Sequence, residues 1–122
     1  MAKSILIVDD NPVNLKLVRI LLASEGYDVQ TAADAEEALR MLRQSRPAMI
    51  LMDIQLPGID GLELTRRLKA DPATRDIRIL GLTAYAMKGD EEKILAAGCD
   101  GYIAKPIDTR SLPSVIESYF ER

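Results

Sequence analysis

Five short apolar runs set the frame of this chain: Ser4–Val8, Tyr27–Ala32, Met49–Asp53, Arg78–Thr83 and Gly101–Ala104. Each is bounded by turn residues and followed by a segment with helix start and stop signals. Short apolar runs of this kind read as strands, and the segments between them as crossover helices. Strand and helix alternating five times leaves little choice of architecture. Parallel strands joined by helices bury both faces of their sheet. The expected fold class is α/β, a doubly wound (βα)5 domain with a five-stranded parallel sheet and helices on both faces.

The helix signals are specific. Asn11 followed by Pro12 opens a helix to about Ser24, and Gly26 stops it. Asp34 with Glu37 forms a capping box for a second helix through about Gln44, ended by Pro47. Asp60 with Glu63 caps a third, Leu62 to about Ala70. The fourth is expected over Glu91–Ala97, stopped by Gly98, and the fifth over about Thr109–Tyr119. Pro113 inside the fifth either delays its start, with Ser111 as cap, or distorts its first turn. The second strand is the more polar one and belongs near an edge.

The third strand carries the clearest functional signal. Ile50, Leu51 and Met52 run straight into Asp53, with Pro57, Gly58 and Gly61 close behind. A buried strand that ends on a charge places that charge where the chain leaves the core. In open α/β sheets, ligands bind at the carboxyl ends of the strands. The other strands end in the same way: Asp9 and Asp10 follow the first, Thr83 closes the fourth, and Lys105 follows the fifth. In a sheet of order 2-1-3-4-5 the switch point lies between strands one and three. Asp10 and Asp53 then face one crevice, with Thr83 and Lys105 along its rim. Taken singly, each has an ordinary reading as a helix-start solvating group, a turn former, a strand residue or a surface lysine. Their coincidence at the same end of four strands points to a site.

Composition narrows the chemistry. The 122 residues suit one domain, residues 1–122, and no attached output domain is expected. A net charge of −3 without a basic cluster gives no nucleic-acid surface. Cys99 is the only cysteine, so no internal disulfide can form. No apolar run is long enough for a signal peptide or membrane span, and a cytoplasmic protein is expected. There is no histidine at all. That excludes a histidine base, a histidine metal ligand and a phosphohistidine on this chain. Any metal must sit on oxygen ligands, which points to a hard cation such as Mg²⁺. Three carboxylates in one crevice repel unless cations separate them, and Mg²⁺ with Lys105 would do so. Asp53 is then expected to act as a nucleophile toward phosphorus, with Thr83 and Lys105 on the phosphoryl oxygens.

The segments ILIVDDNPVN, LMDIQLPGIDGLE, LGLTAYA and GYIAKPI resemble those of bacterial response-regulator receiver domains, along essentially the whole chain. The resemblance implies the flavodoxin- or CheY-like sheet order 2-1-3-4-5. It makes Asp53 the phospho-acceptor, charged by a phosphohistidine on a sensor histidine kinase or histidine phosphotransfer protein. It implies Mg²⁺, for which Mn²⁺ could substitute, held directly by Asp10, Asp53 and the backbone carbonyl of Gln55, with Asp9 acting through water. Thr83 and Lys105 would hold the phosphoryl group, and Thr83 and Tyr102 would form the conformational switch. Lys105–Pro106 would be a cis peptide bond. Gln55 and Tyr85 would tune phosphoryl lifetime, the bulk of Tyr85 slowing hydrolysis. A downstream protein would dock on the face of helix 4, strand 5 and helix 5 of a monomer, with dimerisation on phosphorylation left open. Within the family the likeness is to stand-alone receivers of the DivK type and to receivers of hybrid histidine kinases, through LMDIQLP, TAYAMKGDEE and GCDGYIAKPI. The stand-alone form is expected. Such a protein is not a turnover enzyme. A haloacid-dehalogenase-like phosphohydrolase is the rival, but its nucleophile opens an early D-x-D motif, whereas Ile54-Gln55 follows Asp53. A binding module without phosphorylation is argued against by the intact acidic residues, Thr83 and Lys105. Nucleotide or flavin carriage lacks any phosphate-loop motif.

Overall fold

All five apolar runs form strands, and each is followed by a helix. The computed structural model describes residues 3–56, 60–84 and 88–121. In chain order the elements are β1 (Ser4–Val8), α1 (Pro12–Ser24), β2 (Asp28–Ala32), α2 (Ala35–Gln44), β3 (Met49–Asp53), α3 (Gly61–Ala70), β4 (Arg78–Thr83), α4 (Lys88–Ala96), β5 (Gly101–Ala104) and α5 (Leu112–Phe120). The strands make one parallel sheet in the order β2-β1-β3-β4-β5. The fold is therefore the expected flavodoxin- and CheY-like one.

Two apolar layers cover the sheet. On one side Ala35 and Ala38 of α2, Leu64 and Leu68 of α3 and Ile94 of α4 pack on Leu6, Val8, Ile50, Met52 and Ile79. On the other, Val18 and Leu22 of α1 with Leu112 and Ile116 of α5 pack on Ile5, Ile7, Met49, Leu51, Leu80 and Leu82. Successive residues of β3 thus alternate between two buried layers, and all five are buried. β2, at the edge, is half exposed, in keeping with its polar sequence.

The caps act as their sequences suggest. Asn11 Oδ1 accepts the Val13 and Asn14 N–H groups, Asp34 Oδ1 that of Glu37, and Asp60 Oδ1 that of Glu63. Gly26 and Gly98, at φ of +92° and +110°, follow the ends of α1 and α4. Several boundaries differ from expectation, α3 among them, which begins at Gly61 rather than Leu62. β2 begins at Asp28 rather than Tyr27, whose N–H is taken by the Leu22 carbonyl of α1. α4 begins at Lys88, a turn before Glu91, and ends at Ala96. α5 starts late, at Leu112, because Pro113 has no N–H to give to the preceding turn. Ser111 precedes it without a side-chain capping bond. Instead Asp108 arranges the entry, accepting from the Arg110 N–H at its carboxylate and from the Leu112 N–H at its carbonyl.

Register is what positions the site. Val8 pairs with Met52, Asp53 with Leu82 and Thr83 with Ala104. The residues that follow or close these strands therefore finish level, at the carboxyl edge. Gly61 secures the geometry behind Asp53. A Cβ there would stand 2.1 Å from the Asp53 carbonyl oxygen, and the Gly61 N–H bonds to the Ile54 carbonyl. The contact is with backbone, which cannot swing aside. Gly61→Ala should cost about 1–3 kcal/mol of stability, read as a lowered urea midpoint at unchanged slope.

Candidate functional site

Asp53 closes β3 and is 4% exposed; Asp9, just past β1, is 1% exposed. Asp10, the next residue, is exposed. One carboxylate oxygen from each of the three lies within 4.8 Å of the others. Lys105, just past β5, reaches across the strand ends. Its Nζ is 3.3 Å from Asp53 Oδ2 and 3.4 Å from Asp9 Oδ2. Thr83, closing β4, is buried beside them, and its carbonyl accepts the Lys105 N–H at 2.7 Å. The Lys105–Pro106 bond is cis. The fold thus brings Asp9, Asp10, Asp53, Thr83 and Lys105 to one edge from four strands.

The three carboxylates differ in what already holds them. Asp9 accepts the Asn11 N–H at 2.9 Å and lies 3.5 Å from the Asn14 side-chain amide, besides its ion pair to Lys105. Asp53 accepts the Gln55 N–H at Oδ1. Asp10, exposed at the mouth, is the one open to an incoming cation. All-oxygen donors, clustered and anionic, fit a hard divalent cation such as Mg²⁺. Asn14 was not singled out from the sequence; its signal is its place three residues past the Asn11 cap, on the turn facing Asp9. Tyr102 lies two rungs down β5 from Ala104, the partner of Thr83. Its hydroxyl donates to Glu91 of α4, which raises the phenol above its ordinary range. Nothing in the sequence marks Glu91 as its partner. Gln55 is exposed beside Asp53. Tyr85 and Met87 lie outside the described residues, as do Pro57 and Gly58. Cys99 is buried, with Sγ 3.9 Å from the Thr65 hydroxyl, and burial pushes its thiol up to about 11. It is a core residue with little thiolate character.

Burial is the largest influence on Asp53 and pushes its carboxyl up to about 6, with the Asp9 charge adding to it. The Gln55 N–H and Lys105 act the other way and do not cancel it. A carboxyl with a raised native pKa contributes stability that is present below its ordinary value of 3.8 and lost as pH rises through about 6. Without divalent cation, Asp53→Asn should therefore be more stable than the parent at pH 7, by about 1–3 kcal/mol. The gain should shrink between pH 6 and 4. Adding Mg²⁺ should raise the melting temperature of the parent and leave the variant almost unmoved. Thermal unfolding across pH, with EDTA and with Mg²⁺, reads both effects.

Comparison with known proteins agrees with this geometry. Residues 5–117 match the family described as the response regulator receiver domain. The chain is 48% identical over 119 residues to the polar-differentiation response regulator DivK of Brucella anthropi, covering 98% of this chain and 97% of that protein. DivK of Brucella ovis is 47% identical over the same length. Among solved structures, the receiver domain of a sensor histidine kinase from Pseudomonas aeruginosa is 38% identical, with a TM-score of 0.90 and full coverage of both chains. That structure has a magnesium ion coordinated in its active-site cleft. The chemotaxis response regulator CheY4 of Vibrio cholerae is 27% identical, with a TM-score of 0.92, over 97% of this chain and 98% of that one. This chain belongs to the response regulator receiver family of two-component signalling.

Proposed function

We propose that this receiver is a phosphorylation-controlled switch whose acceptor is Asp53. The observation that carries the reading is the Lys105 ammonium, set between Asp53 and Asp9 at the mouth of a three-carboxylate cluster. An Asp53 oxygen attacks the phosphorus of a partner's phosphohistidine. The P–N bond breaks as the P–O bond forms, and the histidine, protonated on its other ring nitrogen, leaves as neutral imidazole. Asp10, Asp53 and the Gln55 backbone carbonyl would hold Mg²⁺, with Asp9 acting through water. That division suits an Asp9 carboxylate already committed to Asn11 and Lys105. When bound, Mg²⁺ supplies positive charge that offsets the negative charge of phosphate and carboxylates, and Mn²⁺ would substitute. Lys105 keeps the phosphoryl oxygens in line, and Thr83 donates its hydroxyl to one of them.

The donor is a sensor histidine kinase or a histidine phosphotransfer protein. Beside the cluster, α1 presents Val13, Leu17 and Ile20 to solvent, 71%, 43% and 55% exposed. They lie three and four residues apart, on one helix face, and give a partner an apolar surface next to Asp10. The product mixed anhydride favours a state in which Thr83 moves toward the phosphoryl group and Tyr102 follows. Output passes through the face of α4, β5 and α5, where Leu95 is half exposed. The likeness to DivK, a response regulator, supports a regulator that holds one phosphoryl group rather than turning over substrate. Among the described residues, no helix is long and apolar enough to cross a membrane.

Incubation with acetyl phosphate and Mg²⁺ should add the mass of one phosphoryl group, lost in Asp53→Asn and with EDTA. Rapid release of many phosphates without an adduct would replace the switch with a phosphohydrolase. Lys105→Met should slow adduct formation about 10²-fold while leaving the fold intact by circular dichroism.

A further inference from the structure

Tyr102 is tethered by a residue that the reading above does not use. Its ring is half-buried against the layer formed by α2, α3 and α4, and its hydroxyl donates to Glu91 Oε1 at 2.5 Å. Glu91 lies in the first turn of α4, so this one bond ties β5 to that helix. The tie stands beside the route to the phosphorylation site. Tyr102 pairs in register with Gly81, and Thr83 is two residues further along β4. The space above Gly81 is filled by Ile54 Cδ1 and Ile94 Cγ2, 2.9 and 3.1 Å from where a Cβ would stand. Ile54 is bonded directly to Asp53, and Ile94 lies three residues past Glu91, on the same helix face. Next to them, between Ile54, Gln55, Thr83 and Ile94, lies a cleft of about 110 Å³. Side chains there have room to repack when Asp53 changes. An acceptor that pins the phenol to α4 opposes movement of the ring along the sheet toward Thr83.

We propose that Glu91 is a positioning residue of the switch: its carboxylate holds the Tyr102 hydroxyl on α4 and so sets the resting population of the unswitched state. This rests on the reading of Thr83 and Tyr102 as a coupled pair. Loss of the tether frees the ring and moves the resting population toward the phosphorylated arrangement. By linkage, the same change favours phosphorylation. Exchanging the bond for one to water should shift that population about five-fold.

A carboxylate in the first turn also favours the helix dipole, so the test must separate the two roles. The full chain is labelled with 3-fluorotyrosine, and the Tyr102 fluorine resonance is assigned by its absence in Tyr102→Phe. In the parent this resonance should move on adding Mg²⁺ with beryllium fluoride, a phosphoryl mimic. In Glu91→Ala it should start part of the way there, with Glu91→Gln, which keeps an acceptor, in between. Acetyl phosphate should phosphorylate Glu91→Ala about five-fold faster than the parent. Adding Glu91→Ala to Tyr102→Phe should bring no further gain. A Tyr102 resonance in Glu91→Ala at the resting parental position overturns the proposal. So does a rate gain that persists without the Tyr102 hydroxyl, since that would be a charge effect on α4. A parent that takes up phosphate while its Tyr102 resonance stays still removes the switch reading itself, and the role of Glu91 with it.

Discussion

β3 is apolar on both faces, and a strand of that kind is stable only when both faces are covered. Each fully buried Ile, Leu or Met side chain is worth about 1.5–3 kcal/mol, so exposing either face would forfeit several of them. That requirement puts helices on both sides of the sheet, makes the crossovers long and the strands parallel, and keeps β3 next to β1 and β4 in the interior. The polar residues can emerge only where the strands end. Asp53 is the last residue of the most buried strand, and its charge is held at the margin of the core.

A margin is a costly place for a carboxylate, and the cost is visible in its chemistry. Burial holds Asp53 well above the ordinary carboxylate range, while Lys105 and the Gln55 N–H offset only part of the penalty. A divalent cation or a phosphoryl group with its counter-charges would relieve the same strain. Site and fold are therefore opposed in the metal-free chain. Asp53 is thus held at the margin of the core against the preference of that place for an uncharged group. Lys105 reconciles them in part, because its flexible stem carries a charge over the end of β4 to two carboxylates at once.

Packed groups lead outward from Asp53 along the same sheet. Gly61 lets α3 begin against the Asp53 carbonyl, and Gly81 leaves space that Ile54 and Ile94 share. Asp53 thus meets α3 at its backbone and, through Ile54 packed against Ile94, the side chains of α4. Tyr102 and Glu91 sit at the far side of that contact, where β5 and α4 form part of an exposed face.

Much of this was legible in the residues themselves. The strands were set by apolar runs ending in polar residues, the first three helix starts by Asn11-Pro12, Asp34 and Asp60, and the site by charges falling at strand ends. These are local signals: propensity, capping and period act within a few residues. Other features needed the folded chain. No Ser, Thr, Asp or Asn stands just before Lys88 in the sequence to mark the start of α4, and how the chain enters the helix that holds Pro113 depends on the bonds Asp108 accepts from Arg110 and Leu112. The tethering of Tyr102 by Glu91, the anchoring of Asp9 by Asn11 and Asn14, and the close approach of Gly61 to Asp53 depend on distances set by register and helix packing. The sequence alone determined which groups stand at the edge of the sheet, because hydrophobic burial is read residue by residue. Which of those groups touch depends on the folded arrangement, because strands and helices far apart in the chain must first be stacked before their side chains share space.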